Sequence, residues 1–218
     1  MFNRIPPVVK NLIILNVIMF IITLLTGNFM YEKFALFYFQ SPLFKPYQIV
    51  THMFMHGGFV HIFFNMYTLW FFGSILENVW GGKKFLFYYL VTGIGAAIIH
   101  SFVIYLEVNS LQSAVEAGNV IANTKIYDIF RTPTVGASGA IYGLLLAYGM
   151  LFPNNVLQLI IPPVALKAKY FVLIFGALEL ILGITSPGSS IAHFAHLGGM
   201  IFGYILIVYW KKNNRMYY

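Results

Sequence analysis

The chain has 218 residues, 60% of them hydrophobic and only 9% charged, where a soluble domain would carry roughly a quarter charged residues; a soluble globular protein is thereby excluded. It contains no cysteine, which excludes disulfides and thiolate metal sites. The net charge of +7 comes from short basic clusters between apolar runs, a membrane-topology pattern that argues against nucleic acid and for a lipid bilayer as partner.

A spanning helix needs about 20 mostly apolar residues. In chain order the candidates are 11–27, 58–80, 84–106, 136–152, 169–186 and 191–210. The expected fold is an all-α membrane protein, a single polytopic bundle of six transmembrane helices over residues 1–218. Arg4 and Lys10 precede the first run as they would in a signal peptide. No small-x-small cleavage site follows in "LLTGNFMYEK", so a retained helix is expected. Residues 28–57 carry breakers at Pro42, Pro46 and Gly57-Gly58, and the aromatic stretch "FALFYFQSPLF" suits the membrane interface. Residues 107–135 are the most polar connection, with Glu107, Glu116, Asp128 and Arg131; the sequence leaves open whether they hold a short helix. Nine of the 13 Lys and Arg fall at one face of this bundle, among them Lys83, Lys84, Lys167, Lys169, Lys211 and Lys212. Both termini are therefore expected in the cytoplasm.

Polar groups at membrane depth are expensive and tend to be functional. Ser138 opens the fourth run, His196 lies early in the sixth, and His61 and Asn65 lie early in the second. At about 1.5 Å of rise per residue all four fall within ~10 Å of the outer end. Gly139, Gly143 and Ala147 repeat every four residues in one run, and Gly199 and Gly203 in another, giving small faces on which two helices can approach closely. His196 and Gly203 differ by only about 20° around the helix. Packing of the two small faces would then bring His196 to Ser138 as base to nucleophile. His193, about 80° from Gly203, is the competing base; its bland reading is an interfacial hydrogen-bonding histidine. His61 and Asn65, spaced i, i+4, are either interhelical contacts or two donors aimed at an oxyanion. The chain's single aspartate, Asp128, lies outside every span, so a Ser–His dyad rather than a triad is expected. Glu77 reads as an ion-pair or capping group, and Glu179, in the middle of the fifth run, has no assignment.

At these residues the chain resembles the rhomboid family of intramembrane serine proteases. The family's glycine-x-serine-glycine motif appears as Gly136-Ala137-Ser138-Gly139, its histidine motif as "AHLGGMIFG" from Ala195 to Gly203, and its histidine-x-x-x-asparagine motif as "HIFFN" from His61 to Asn65. Tyr142 and Glu77 also fall where the family tends to place Tyr and Glu. Many members carry Trp-Arg in the first outer loop; here the pair is Tyr47-Gln48, which leaves the anchoring of that loop open. The resemblance implies Ser138 and His196 as a catalytic dyad. It also implies oxyanion stabilisation by His61, Asn65 and the Ser138 N–H, with Gly136, Gly139, Tyr142, Gly199 and Gly203 in support. It implies cleavage of single-pass transmembrane protein substrates, with no cofactor, no metal and no need of an oligomer. The expected setting is a bacterial inner membrane, with the site near the outer face. Two other readings remain: a non-catalytic membrane binding protein on a rhomboid-like fold, and a metal-dependent membrane protein using His52 and His56 with His61.

Overall fold

The structure is a computed structural model, and residues 5–158, 163–185 and 192–213 are described; Arg4 and Arg215 lie outside them, as do the last residue of the expected fifth span and the first of the sixth. Helix α1 (Pro7–Thr26) starts with proline at its first turn, where the missing N–H is not needed. Its free N–H groups are capped from far along the chain. Val8 and Val9 donate to the two carboxylate oxygens of Glu77 at 2.9 and 2.7 Å, a charged group in register with the positive end of the helix dipole. Glu77 is therefore a capping group.

Residues 28–57 form a folded strap with two short helices, α2 (Asn28–Phe34) and α3 (Gln48–Thr51). Gln48 pins it. The buried amide donates to the carbonyls of Glu32, Lys33 and Leu43, and its oxygen accepts from the Lys45 N–H at 3.0 Å. The strap is thus anchored by one uncharged side chain at the position where an Arg was the family expectation.

The second span, Phe59–Trp80, is 22 residues long. It consists of α4 (Phe59–Thr68), a π-turn at Leu69–Gly73 and α5 (Ser74–Trp80). Gly81, at φ 76°, makes the reversal into α6 (Gly82–Glu116). That helix runs 35 residues, about 52 Å, well past the expected end at 106. Its polar tail, "EVNSLQSAVE", holds no Gly or Pro, so nothing stops the helix before Gly118. Gly118 (φ 91°) and the Asn119 cap then start α7 (Val120–Arg131), so the polar connection does contain a helix of its own. It leans back on the strap. Ser41 donates to the Phe130 carbonyl at 2.6 Å, and Tyr38 meets the Phe130 ring edge-on at 5.4 Å.

Helix α8 (Ser138–Leu151) leads through a two-stranded antiparallel hairpin, β1 (Val156–Gln158) and β2 (Ala165–Lys167), into α9 (Ala168–Thr185), and α10 (His193–Lys212) follows. Among the described residues, five helical spans, including Phe59–Trp80 taken whole, are long and apolar enough to cross a membrane; α8 is apolar but has 14 residues, about 21 Å. The protein is an all-α polytopic membrane protein. Its centre is the junction of α6, α8 and α10. There a Cβ on Gly199 would fall on the carbonyl oxygen of Gly139, so only glycine permits the observed approach of α10 to α8. The two small faces do not run together along their length. Gly203 packs against Tyr88 and Gly143 against Thr92, both on α6, so α6 wedges between them below the contact.

Candidate active site

Ser138 is the first residue of α8, and the chain before it is held on both sides. Thr134 pairs with Leu36 of the strap through two backbone hydrogen bonds of 2.8 and 2.9 Å, and the Gly136 N–H donates to the His52 carbonyl at 3.0 Å. Gly136 has φ 131°, and a Cβ there would stand 2.9 Å from the His61 ring. A side chain at that position would thus be both strained and in collision. Burial pushes the His52 imidazole down to about 4 and that of His56 down to about 3. Both are neutral at pH 7 and serve this wall as uncharged groups.

Helix α10 brings His196 to Ser138. His196 Nε2 lies 2.8 Å from Ser138 Oγ, and the His196 ring is buried. The Tyr142 ring, one turn along α8 from Ser138, stacks on it at 4.2 Å and 6°. His193 points elsewhere: its Nδ1 donates to Glu179 Oε2 at 2.6 Å.

Helix α4 supplies two donors. Asn65 is buried, and its Nδ2 has no hydrogen-bond partner among the described residues. An amide left unpaired in a low-dielectric interior costs free energy. His61 Nδ1 accepts from the Gly57 N–H at 3.4 Å. With Nδ1 accepting, the neutral ring carries its proton on Nε2, on the edge facing Gly136.

Glu179 of α9 is the residue the sequence left unassigned. It is buried; its Oε1 accepts from the Tyr142 hydroxyl, and its Oε2 lies 2.6 Å from His193 Nδ1 and 3.0 Å from His196 Nδ1. Counting could have found it. Glu179 stands six residues before the end of α9 and His196 three after the start of α10, at depths of about 9 and 5 Å on helices running in opposite directions. Ligating atoms of Glu179, His193 and His196 all lie within 4.8 Å of one another. The 2.6 Å spacing is a hydrogen bond, tighter than the roughly 3.3 Å that two ligands on one tetrahedral zinc would keep at about 2.0 Å bonds. A proton, not an ion, suits this cluster. His52, by contrast, is turned away from any such cluster, its Nδ1 held on the Gln48 carbonyl at 2.9 Å.

The Rhomboid domain family matches residues 43–213. The chain belongs to the rhomboid family. Among its relatives, this rhomboid is 32% identical over 172 residues to the presenilin-associated rhomboid-like protein, mitochondrial, of Mus musculus, an alignment covering 74% of this chain and 38% of the relative. It is 30% identical over 195 residues to RHOMBOID-like protein 12, mitochondrial, of Arabidopsis thaliana, covering 88% and 55%. RHOMBOID-like protein 4 of the same plant matches at 30% over 162 residues, covering 74% of this chain and 33% of the relative. The rhomboid described here spans between about a third and just over half the length of these relatives. They are animal and plant proteins, two of them named as mitochondrial, and so lend the expected bacterial setting no support.

Proposed function

We propose that this rhomboid is an intramembrane serine endopeptidase that cuts transmembrane segments of single-pass membrane proteins. The observation that carries the reading is the 2.8 Å contact of Ser138 Oγ with buried His196 Nε2, made between two helices of a membrane-embedded rhomboid chain. His196 Nε2 takes the hydroxyl proton as Ser138 Oγ attacks the substrate carbonyl carbon. The tetrahedral oxyanion is received by Asn65 Nδ2, His61 Nε2–H and the Ser138 N–H, the last standing free at the start of α8. His196 passes the proton to the leaving amine, and water then hydrolyses the acyl-enzyme. The substrate helix must unwind locally for its carbonyl to reach Oγ, which Gly and Pro in the substrate favour. The basic ends set the orientation proposed: both termini cytoplasmic in a bacterial inner membrane, with Ser138 near the outer face.

The test is fluorophosphonate labelling of detergent-purified wild type, Ser138→Ala and His196→Ala. Labelling of wild type alone is expected. A folded wild type that stays unlabelled would leave Ser138 a packing residue and favour a non-catalytic membrane binder.

A further inference from the structure

We infer that Glu179 is a third member of this site, a positioning carboxylate that keeps the His196 proton on Nδ1 and faces the imidazolium when it forms. The inference rests on the serine-protease reading above and deepens it. To accept the Ser138 proton, His196 Nε2 must be bare, so the neutral ring has to carry its proton on Nδ1. That Nδ1 is buried without an aligned hydrogen bond, and Glu179 Oε2 stands 3.0 Å from it. In the resting arrangement the straighter bond to this oxygen comes from His193, at 2.6 Å. A small tilt of the His196 ring brings its own N–H into line.

The carboxylate is held for this purpose. The Tyr142 hydroxyl donates to Oε1, His193 donates to Oε2, and the Tyr142 ring lies flat on His196. One tyrosine thus fixes both the carboxylate and the plane of the base, and His193 acts as a clamp rather than as a base. A carboxylate in hydrocarbon is costly unless paired, and the cation it meets here is transient. As Ser138 attacks, its O–H bond breaks, an N–H bond forms at His196 Nε2, the Oγ–carbon bond forms, and the carbonyl π pair moves to oxygen. His196 then carries a positive charge 3.0 Å from Glu179 Oε2. The Nδ1 proton stays on His196 throughout, and Glu179 remains ionised. The residue that completes the triad is therefore a glutamate of α9, in a chain whose single aspartate, Asp128, lies outside every span.

Glu179→Gln and Glu179→Asp, with wild type and Ser138→Ala, are labelled with a fluorophosphonate over a range of probe concentrations. The expected result for Gln is a labelling rate at saturation lower by about 10²-fold or more, with probe affinity unchanged; Asp recovers part of the rate. A purely structural Glu179 would lower the folded fraction without this split. In parallel, ¹⁵N-histidine spectra of wild type, assigned to His196 by comparison with His196→Ala, are expected to show the Nδ1-protonated tautomer. Gln labelling at the wild-type rate, or His196 protonated at Nε2 in wild type, would overturn the inference while leaving the nucleophile in place. If Gln does not fold, the wild-type tautomer alone decides. A folded wild type that fails to label removes the protease reading and this inference together.

Discussion

At the scale of single residues, the site is a set of polar groups from separate helices, each held by a neighbour that leaves one atom free. Ser138 and His196 were legible in the sequence because depth can be counted from helix ends and because Gly139 and Gly199 mark the faces that meet. The same counting gives the depth of Glu179 but not its role, because its partners Tyr142, His193 and His196 come from α8 and α10, and nothing adjacent to it in sequence announces them. The strap's anchoring was equally hidden: Gln48 replaces a charge by geometry, reaching four backbone groups with one amide. The unpaired Nδ2 of Asn65 lets stability be tested apart from the proposed catalytic role. Asn65→Ala removes a donor whose burial is uncompensated, so its melting temperature in detergent is expected to hold or rise. Cleavage of a reconstituted transmembrane peptide is expected to fall about 10²-fold through kcat, the loss typical of one oxyanion donor. A lower melting temperature with unchanged kcat would make Asn65 an ordinary interhelical contact.

At the scale of elements, the apolar spans followed from hydropathy, with ends within a few residues of those expected, apart from α6. The length of α6 did not follow, since the polar residues after 106 end the apolar run but not the helix, which continues to Glu116 just before Gly118. The partners of Gly203 and Gly143 did not follow either: a small face says that something comes close, not which helix it is. The Gly139–Gly199 contact sets the separation of α8 from α10 and therefore the separation of Ser138 from His196. Gly199→Ala places a methyl on a backbone carbonyl, where no side chain can yield. It is expected to destabilise the fold by about 1–3 kcal/mol and to slow fluorophosphonate labelling by at least tenfold, as the base is pushed from Oγ. Unchanged labelling in a folded Gly199→Ala protein would show that α10 slides to compensate.

At the scale of the whole molecule, the basic ends of helices gather at one face. Lys84, opening α6, sits with its ammonium 4.6 Å over the ring of Trp210, near the end of α10, and the site lies at the opposite face. Because the chain has no cysteine, one introduced thiol is a clean reporter of sidedness. In cells of a bacterial host, Asn109→Cys is expected to react with a membrane-impermeant maleimide from outside and Asn213→Cys only after lysis; the reverse pattern would invert the proposed orientation. The order in which the site is strung along the chain has a consequence for the cell that makes it. Ser138 is synthesised first, on α8, Glu179 next, on α9, and His196 last, on α10. Insertion from the N-terminus therefore leaves a growing chain with an unactivated serine until α10 has entered the bilayer and seated Gly199 on Gly139. A chain stalled before that moment holds Ser138 with no His196 beside it and, on the proposed mechanism, cuts nothing in the membrane.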